Sequence, residues 1–278
     1  MSKRPVVLVV MDGIGISDNE FGNAVKAAYK PTLDELWGTC PHTEIKAHGL
    51  AVGLPTDGDM GNSEVGHNAL GCGQIYSQGA KLVNENIETG EIFNTDTWKD
   101  LVANCKDGKM HFLGLLSDGN VHSHINHLKA LIKRAKEDGV KEVRIHALLD
   151  GRDVPETSAL TYVDDIEAYM ADLNDDNFHA CIASGGGRMT ITMDRYEANW
   201  AMVEQGWHVH VLGEGREFAS AREAIETYRN ETGVVDQDLP GFVIAKDGKP
   251  VGTIEDGDSV ILFNFRGDRR SEERRVGK

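Results

Sequence analysis

The sequence predicts an α/β fold with a largely parallel sheet, and three observations carry that reading. Val6–Met11 is a continuous apolar, mostly β-branched run, the pattern of a strand buried on both faces of a parallel sheet. From Met110 onward, apolar strand-like segments alternate with segments of helical period, which is the rhythm of βαβ units. The residues suited to chemistry fall just after strand-like segments, where open α/β sheets bind their ligands.

Taken in order, the first run ends in Asp12-Gly13, so a carboxylate stands at the end of the first strand; an Asx turn is the plainer use of this pair. A helix is predicted over Pro31–Trp37, with proline at its first turn, and Thr43–Ala47 reads as a second strand. Ala51–Met60 holds Gly53, Pro55 and Gly58, a loop that leads into Gly61-Asn62-Ser63-Glu64-Val65-Gly66-His67. Ala69 and Leu70 then start a helix, which sets Ser63 at its positive end, where free backbone N–H groups hold an anion. A serine hydroxyl becomes a nucleophile only when a base or metal ion lowers its pKa, and Asp12 is the candidate partner. The alternative is that Asn62 or Ser63 simply caps the helix.

After Tyr76 the pattern changes, which places a domain boundary near residue 77. Strands are predicted at Met110–Leu116, Glu142–Leu149, Phe178–Ala183, Val209–Leu212 and Val260–Phe265. Helices are predicted at Ile125–Asp138, Ala159–Leu173, Trp200–Gln205 and Ala219–Asn230.

A net charge of −16 over 278 residues argues against non-specific binding to nucleic acid or anionic membrane. An acidic protein that handles phosphate must concentrate its arginines locally. Cys40, Cys72, Cys105 and Cys181 are far apart with no C-x-x-C, which suits a reducing compartment better than a disulfide framework or zinc site. With no bilayer-length apolar stretch and no signal peptide ahead of the first strand, the chain reads as cytoplasmic.

Four clusters carry candidate chemistry. Asp118-Gly119-Asn120-Val121-His122-Ser123-His124, with His127 following, lacks the ligand spacing of a zinc site; one imidazole suits anion binding or proton transfer while the others cap the helix. Asp150-Gly151-Arg152-Asp153 follows a strand, and an arginine fork there suits phosphate or carboxylate, though a surface turn with an Arg–Asp pair is the plain alternative. In Ser184-Gly185-Gly186-Gly187-Arg188, followed by Met193-Asp194-Arg195, the glycines allow close backbone approach to a ligand, but no Gly-Lys-Ser/Thr of a P-loop follows. Asn264-Phe265-Arg266-Gly267-Asp268-Arg269 closes the set. Arg152, Arg188, Arg195, Arg266 and Arg269 would all leave one edge of one sheet, the local arginine concentration that phosphate requires.

These motifs, in this order and from Met1 to Arg269, resemble the cofactor-independent (2,3-bisphosphoglycerate-independent) phosphoglycerate mutases of the alkaline phosphatase superfamily. The resemblance implies an α/β fold in which an alkaline-phosphatase-like metal domain, here only its N-terminal part at 1–76, is followed by an inserted α/β transferase domain at 77–269. It implies that Ser63 takes the phosphoryl group from 3-phosphoglycerate as phosphoserine and returns it as 2-phosphoglycerate. It also implies that two divalent metals, usually Mn2+, act with Asp12 and Ser63 among their ligands. His122, Arg152, Asp153, Arg188, Arg195, Arg266 and Arg269 would hold the small-molecule substrate, in a protein that is a monomer.

The chain departs from that family after the inserted domain, where the family carries further aspartate and histidine metal ligands and a substrate lysine. Residues 270–278 are a charged run with one apolar residue, read as a non-native tail. The expectation is a fragment inactive alone. Two other readings stay open: another phosphomutase or phosphatase of the superfamily, or a fragment that only binds phosphoglycerates.

Overall fold

A computed structural model of the chain describes residues 5–11, 14–77, 79–194 and 199–267. It divides into two compact units, Met1–Ile45 and Lys46–Lys278. The smaller holds α1 (Ala24–Ala27) and α2 (Pro31–Thr39), the latter with proline at its first turn and no buried residue. Val6–Met11 is not a strand, contrary to expectation: Val6 is 95% exposed and Met11 48%. Thr43–Ala47 is not a strand either. A strand exists only with a partner for its N–H and C=O groups. No described residue pairs with either segment, so the β-branched propensity goes unused.

The larger unit begins with a 3-10 turn at Gly49–Val52, then α3 (Ser63–Cys72), α4 (Ala80–Thr89), α5 (Glu91–Asn94) and α6 (Asp96–Asn104). The sheet follows: β1 (Met110–Leu115), α7 (Ile125–Glu137), β2 (Glu142–Leu149), α8 (Ala159–Leu173), β3 (His179–Gly187) and α9 (Trp200–Trp207). Next come β4 (Arg216–Phe218), α10 (Ala221–Thr232), β5 (Phe242–Lys246), β6 (Lys249–Pro250) and β7 (Ser259–Leu262). Strand order is β4-β5-β3-β2-β1-β7, with β6 paired to β5. β3, β2, β1 and β7 are mutually parallel, β5 runs antiparallel to β3, and β4 parallel to β5. The largely parallel sheet expected from the sequence is therefore present.

Its core is the expected one for βαβ packing. β1 is buried throughout and β2 from Val143 onward. The α7 stripe Leu128, Leu131, Ile132 and Ala135 joins Phe112, Ile145 and Ile182 of the strands in one cluster. The N-terminus of α8 is held by Asp236, whose carboxylate accepts from Ala159 N at 2.8 Å and from Arg229.

Two further sequence readings are corrected. Val209–Leu212 is no strand: His208–Leu212 continues α9 as a π-helical turn that stops at Gly213, φ 68°. The alternation of Val209 and Val211 imitates a strand, but nothing between α9 and Val209 breaks the helix. β3 runs on through the glycines to Gly187 rather than ending at Ala183. A Cβ on Gly185 would lie 2.6 Å from Ala147 O, one on Gly186 2.9 Å from Gly241 Cα, and one on Gly187 2.2 Å from Gln237 O. The close approach these glycines permit among the described residues is of the chain to itself.

Candidate functional site

Four parallel neighbours β7, β1, β2 and β3 end on one edge of the sheet, and each is followed by a sequence-predicted site residue. Arg266 follows β7, His122 follows β1, Arg152 and Asp153 follow β2, and Arg188 follows β3 directly. The sheet gathers them by topology, as a parallel sheet does at its carboxyl edge.

Asp150 organises this edge. Its Oδ1 accepts from Arg152 N and Asp153 N, both at 3.1 Å, and from Arg188 Nη1 at 2.9 Å. Its Oδ2 accepts from Ser117 Oγ at 2.7 Å. Arg188 Nη1 also donates to Asp153 Oδ2, and Nη2 to His122 Nε2 at 2.8 Å. Since arginine only donates, His122 Nε2 is the acceptor and the ring proton sits on Nδ1. Arg188 is 1% exposed, so its charge is committed to two carboxylates, whereas Arg152 is exposed and Asp153 half-buried. An incoming anion meets Arg152 first. Sequence reasoning did not single out Asp150 or Ser117. The signal available for Asp150 was its place as the first residue after a strand, two before a backbone N–H, the geometry of an Asx cap.

Ser63 is the first residue of α3 and exposed, while Asn62 is the cap, its side chain accepting from Val65 N at 3.1 Å. Of the alternatives the sequence left open, capping belongs to Asn62, and Ser63 keeps its hydroxyl at the helix start. A Cβ on Gly61 would lie 2.1 Å from Ala47 O, so only glycine lets the chain enter here. The next residue, Glu64, accepts from Gly267 N at 3.2 Å and lies 3.9 Å from Arg266 Nε. Asn62, Glu64, Asn120 and Arg266 line one small cavity, and Phe265 N donates to His122 O at 2.9 Å. The start of α3 and the edge of the sheet thus meet at Arg266.

Asn120, at φ 56°, donates to Asp59. Burial pushes the Asp59 carboxyl up, but hydrogen bonds from Asn120 and Thr56 outweigh it and hold it below its ordinary value. His124 caps α7, and burial lowers its pKa. Burial brings His127 down to about 4, leaving it a neutral partner of Asn84. Neither is a cationic anion-binder at neutral pH. Asp12, Arg195 and Arg269 lie outside the described residues. A divalent ion needs about three protein ligands. Among the described residues no group of three or more His, Cys, Asp or Glu could hold one; Asp12, which the resemblance pairs with Ser63, is not among those residues.

Residues 83–276 match the model of the BPG-independent PGAM N-terminus, a match that spans the whole sheet and runs into the tail segment. The chain is 57% identical over 274 residues to a probable 2,3-bisphosphoglycerate-independent phosphoglycerate mutase of Leptospira interrogans, covering 97% of this chain and 50% of that one. It is 52% identical over 281 residues to the 2,3-bisphosphoglycerate-independent phosphoglycerate mutase of Trypanosoma brucei brucei, covering 99% and 51%. A crystal structure of Leishmania mexicana phosphoglycerate mutase at low cobalt concentration superposes with a TM-score of 0.90 at 49% identity, over 96% of this chain and 50% of that one. The chain spans about half the length of the curated relatives it matches. It belongs to the 2,3-bisphosphoglycerate-independent phosphoglycerate mutase family.

Proposed function

We propose that this chain is the substrate-binding part, with the nucleophile, of a metal-dependent isomerase that interconverts 3-phosphoglycerate and 2-phosphoglycerate. The observation that carries the proposal is the convergence of Arg266, His122, Arg152, Asp153 and Arg188 on one sheet edge that reaches the start of α3. Arg152 and Arg266 supply charge for the phosphate and carboxylate of a phosphoglycerate. Asp153 accepts from a substrate hydroxyl, and Arg188 holds Asp153 and His122 in place. Ser63, at the positive end of α3, is the acceptor of the phosphoryl group as phosphoserine. Arg195 and Arg269 complete the substrate set, and residues 1–76 and 77–269 are the metal-domain part and the transferase domain. Asp12 and Ser63 belong to a site for two Mn2+ ions in the complete protein, where the metal lowers the pKa of the serine hydroxyl. The protein works as a cytoplasmic monomer; no helix among the described residues is long and apolar enough to cross a membrane.

A reading as a binding-only fragment has its own support in the lack of a metal-holding cluster among the described residues. Titration calorimetry of the 278-residue chain with 3-phosphoglycerate, alongside a coupled mutase assay with Mn2+, tests both. The expected result is saturable binding, weakened by Arg152→Ala, without turnover. An absence of binding overturns the proposal.

A further inference from the structure

A line of buried polar side chains crosses the sheet beneath the site. His111 Nε2 lies 3.0 Å from Asp258 Oδ2, and His111 Nδ1 lies 2.9 Å from His146 Nε2. His146 Nδ1 is 2.6 Å from Ser184 Oγ, Ser184 Oγ 2.7 Å from His210 Nδ1, and His210 Nε2 3.1 Å from Thr192 Oγ1. Every member but Asp258 is at most 4% exposed, and the Asp258 side chain is 3% exposed. Polar groups buried so deeply are retained only when each is satisfied.

Bookkeeping of protons allows one arrangement with all rings neutral. Asp258, ionised and also accepting from Lys109 N and Glu255 N, only accepts. His111 therefore donates from Nε2 and accepts at Nδ1, and His146 donates from Nε2 and accepts at Nδ1. Ser184 donates to His146 and accepts from His210 Nδ1–H, which leaves His210 Nε2 to accept from Thr192. Burial lowers the pKa of each of the three rings, that of His210 to about 3, which agrees with neutral imidazoles.

The line reaches the site through the pairing of β2 with β3. The pairing of β2 with β3 shifts by a residue between Ile145↔Ile182 and His146↔Ser184, and the His146–Ser184 bond is the first contact after that shift. From there the register runs to Leu149↔Gly187, with Arg188 N donating to Leu149 O at 3.1 Å. A one-residue slip would turn every side chain beyond it to the other face. At the far end Thr192 has φ 66°, a conformation a β-branched residue holds only when its surroundings enforce it. Gly206 leaves space for its hydroxyl, since a Cβ there would stand 2.2 Å from Thr192 Oγ1.

We propose that Thr192, His210, Ser184, His146, His111 and Asp258 form one directional hydrogen-bond chain whose task is to position Arg188. Thr192 and Ser184 are its positioning residues. The link to substrate rests on the function proposed above, whereas the direction of the chain does not. The test is long-range 1H–15N spectroscopy of the 278-residue protein at pH 7, with Thr192→Val, Ser184→Ala and the conservative Thr192→Ser. The expected tautomers are Nε2–H for His111 and His146 and Nδ1–H for His210. Thr192→Val and Ser184→Ala are expected to shift the Arg188 guanidinium N–H resonances and to weaken 3-phosphoglycerate binding about tenfold, with Thr192→Ser within about threefold of the parent. Any other tautomer set, or unmoved Arg188 resonances in folded Thr192→Val and Ser184→Ala, overturns the proposal. Should neither variant fold, the parent tautomers decide it. A parent chain that ignores 3-phosphoglycerate defeats the function reading, and the Arg188 resonances then judge the positioning alone.

Discussion

Arg188 and Asp150 are each at most 2% exposed, and their pairing is the most consequential contact of the site. Removing one member of a buried ion pair costs roughly 3–5 kcal/mol when the other charge is stranded; in Asp150→Ala the Arg188 guanidinium keeps Asp153 as its partner, so that figure is a ceiling for the ion pair. Asp150→Ala also strips an acceptor from Ser117 and from the N–H groups of Arg152 and Asp153. Urea denaturation of Asp150→Ala is expected to show a loss approaching about 3 kcal/mol; a loss under about 1 kcal/mol would mean the pair contributes no more than a surface bridge. Ser63 is the opposite case. It is exposed and Asn62 does the capping, so Ser63→Ala is expected to change stability by less than about 0.5 kcal/mol. The same change should abolish phosphoryl transfer in the complete protein, measured by loss of a phosphoserine mass shift on the peptide that contains it.

The strands and helices repay their sequence patterns unevenly. β1, β2, α7 and α8 fall within a residue or two of their expected ranges because apolar period and tertiary burial agree there. Arg152 was placed at a strand end for the same reason, whereas Arg188 and Arg266 follow strands whose observed ends, Gly187 and Leu262, differ from the predicted Ala183 and Phe265. Asp150 was not legible, because an aspartate that organises a turn looks like one that merely starts it until Arg188 arrives from another strand. β3 hid its last residues in glycines, whose use depends on backbone atoms of residues 147, 237 and 241. His208–Leu212 carried a strand-like alternation that the preceding helix overrode. The buried histidines of these elements also set a pH dependence. His210 and His127 have folded pKa values of about 3 and about 4, below the 6.5 of an unhindered imidazole. Between those values and 6.5 the unfolded chain takes up protons that the folded chain refuses. Stability is therefore complete above about pH 6.5 and declines as pH falls toward 4, by about 1.4 kcal/mol per pH unit per histidine. Urea midpoints measured from pH 8 to 4 should be flat and then fall within that window; a flat profile down to pH 5 would contradict it.

At the scale of the whole molecule, a chain of net charge −16 presents cationic groups at one edge of one sheet. Binding of a phosphoglycerate should then weaken as ionic strength rises, because exposed charges are screened over about 10 Å at 0.1 M salt. Calorimetry at two salt concentrations checks this, and an affinity indifferent to salt would place the ligand away from Arg152. The same molecule leaves Val6-Val7-Leu8-Val9-Val10-Met11 without a hydrogen-bonding partner among the described residues, exposed by 48% to 95% along its length. Six consecutive β-prone residues without charge, proline or glycine are the signature of a steric zipper. Two copies that meet at this run have every reason to template one another, so the 278-residue chain carries an amyloid-type hazard. A lysine in place of Leu8 acts as a gatekeeper against it. Thioflavin fluorescence in concentrated solution should fall in Leu8→Lys relative to the parent, which ties the handling of this protein to an apolar strand-like segment left unpaired among the described residues.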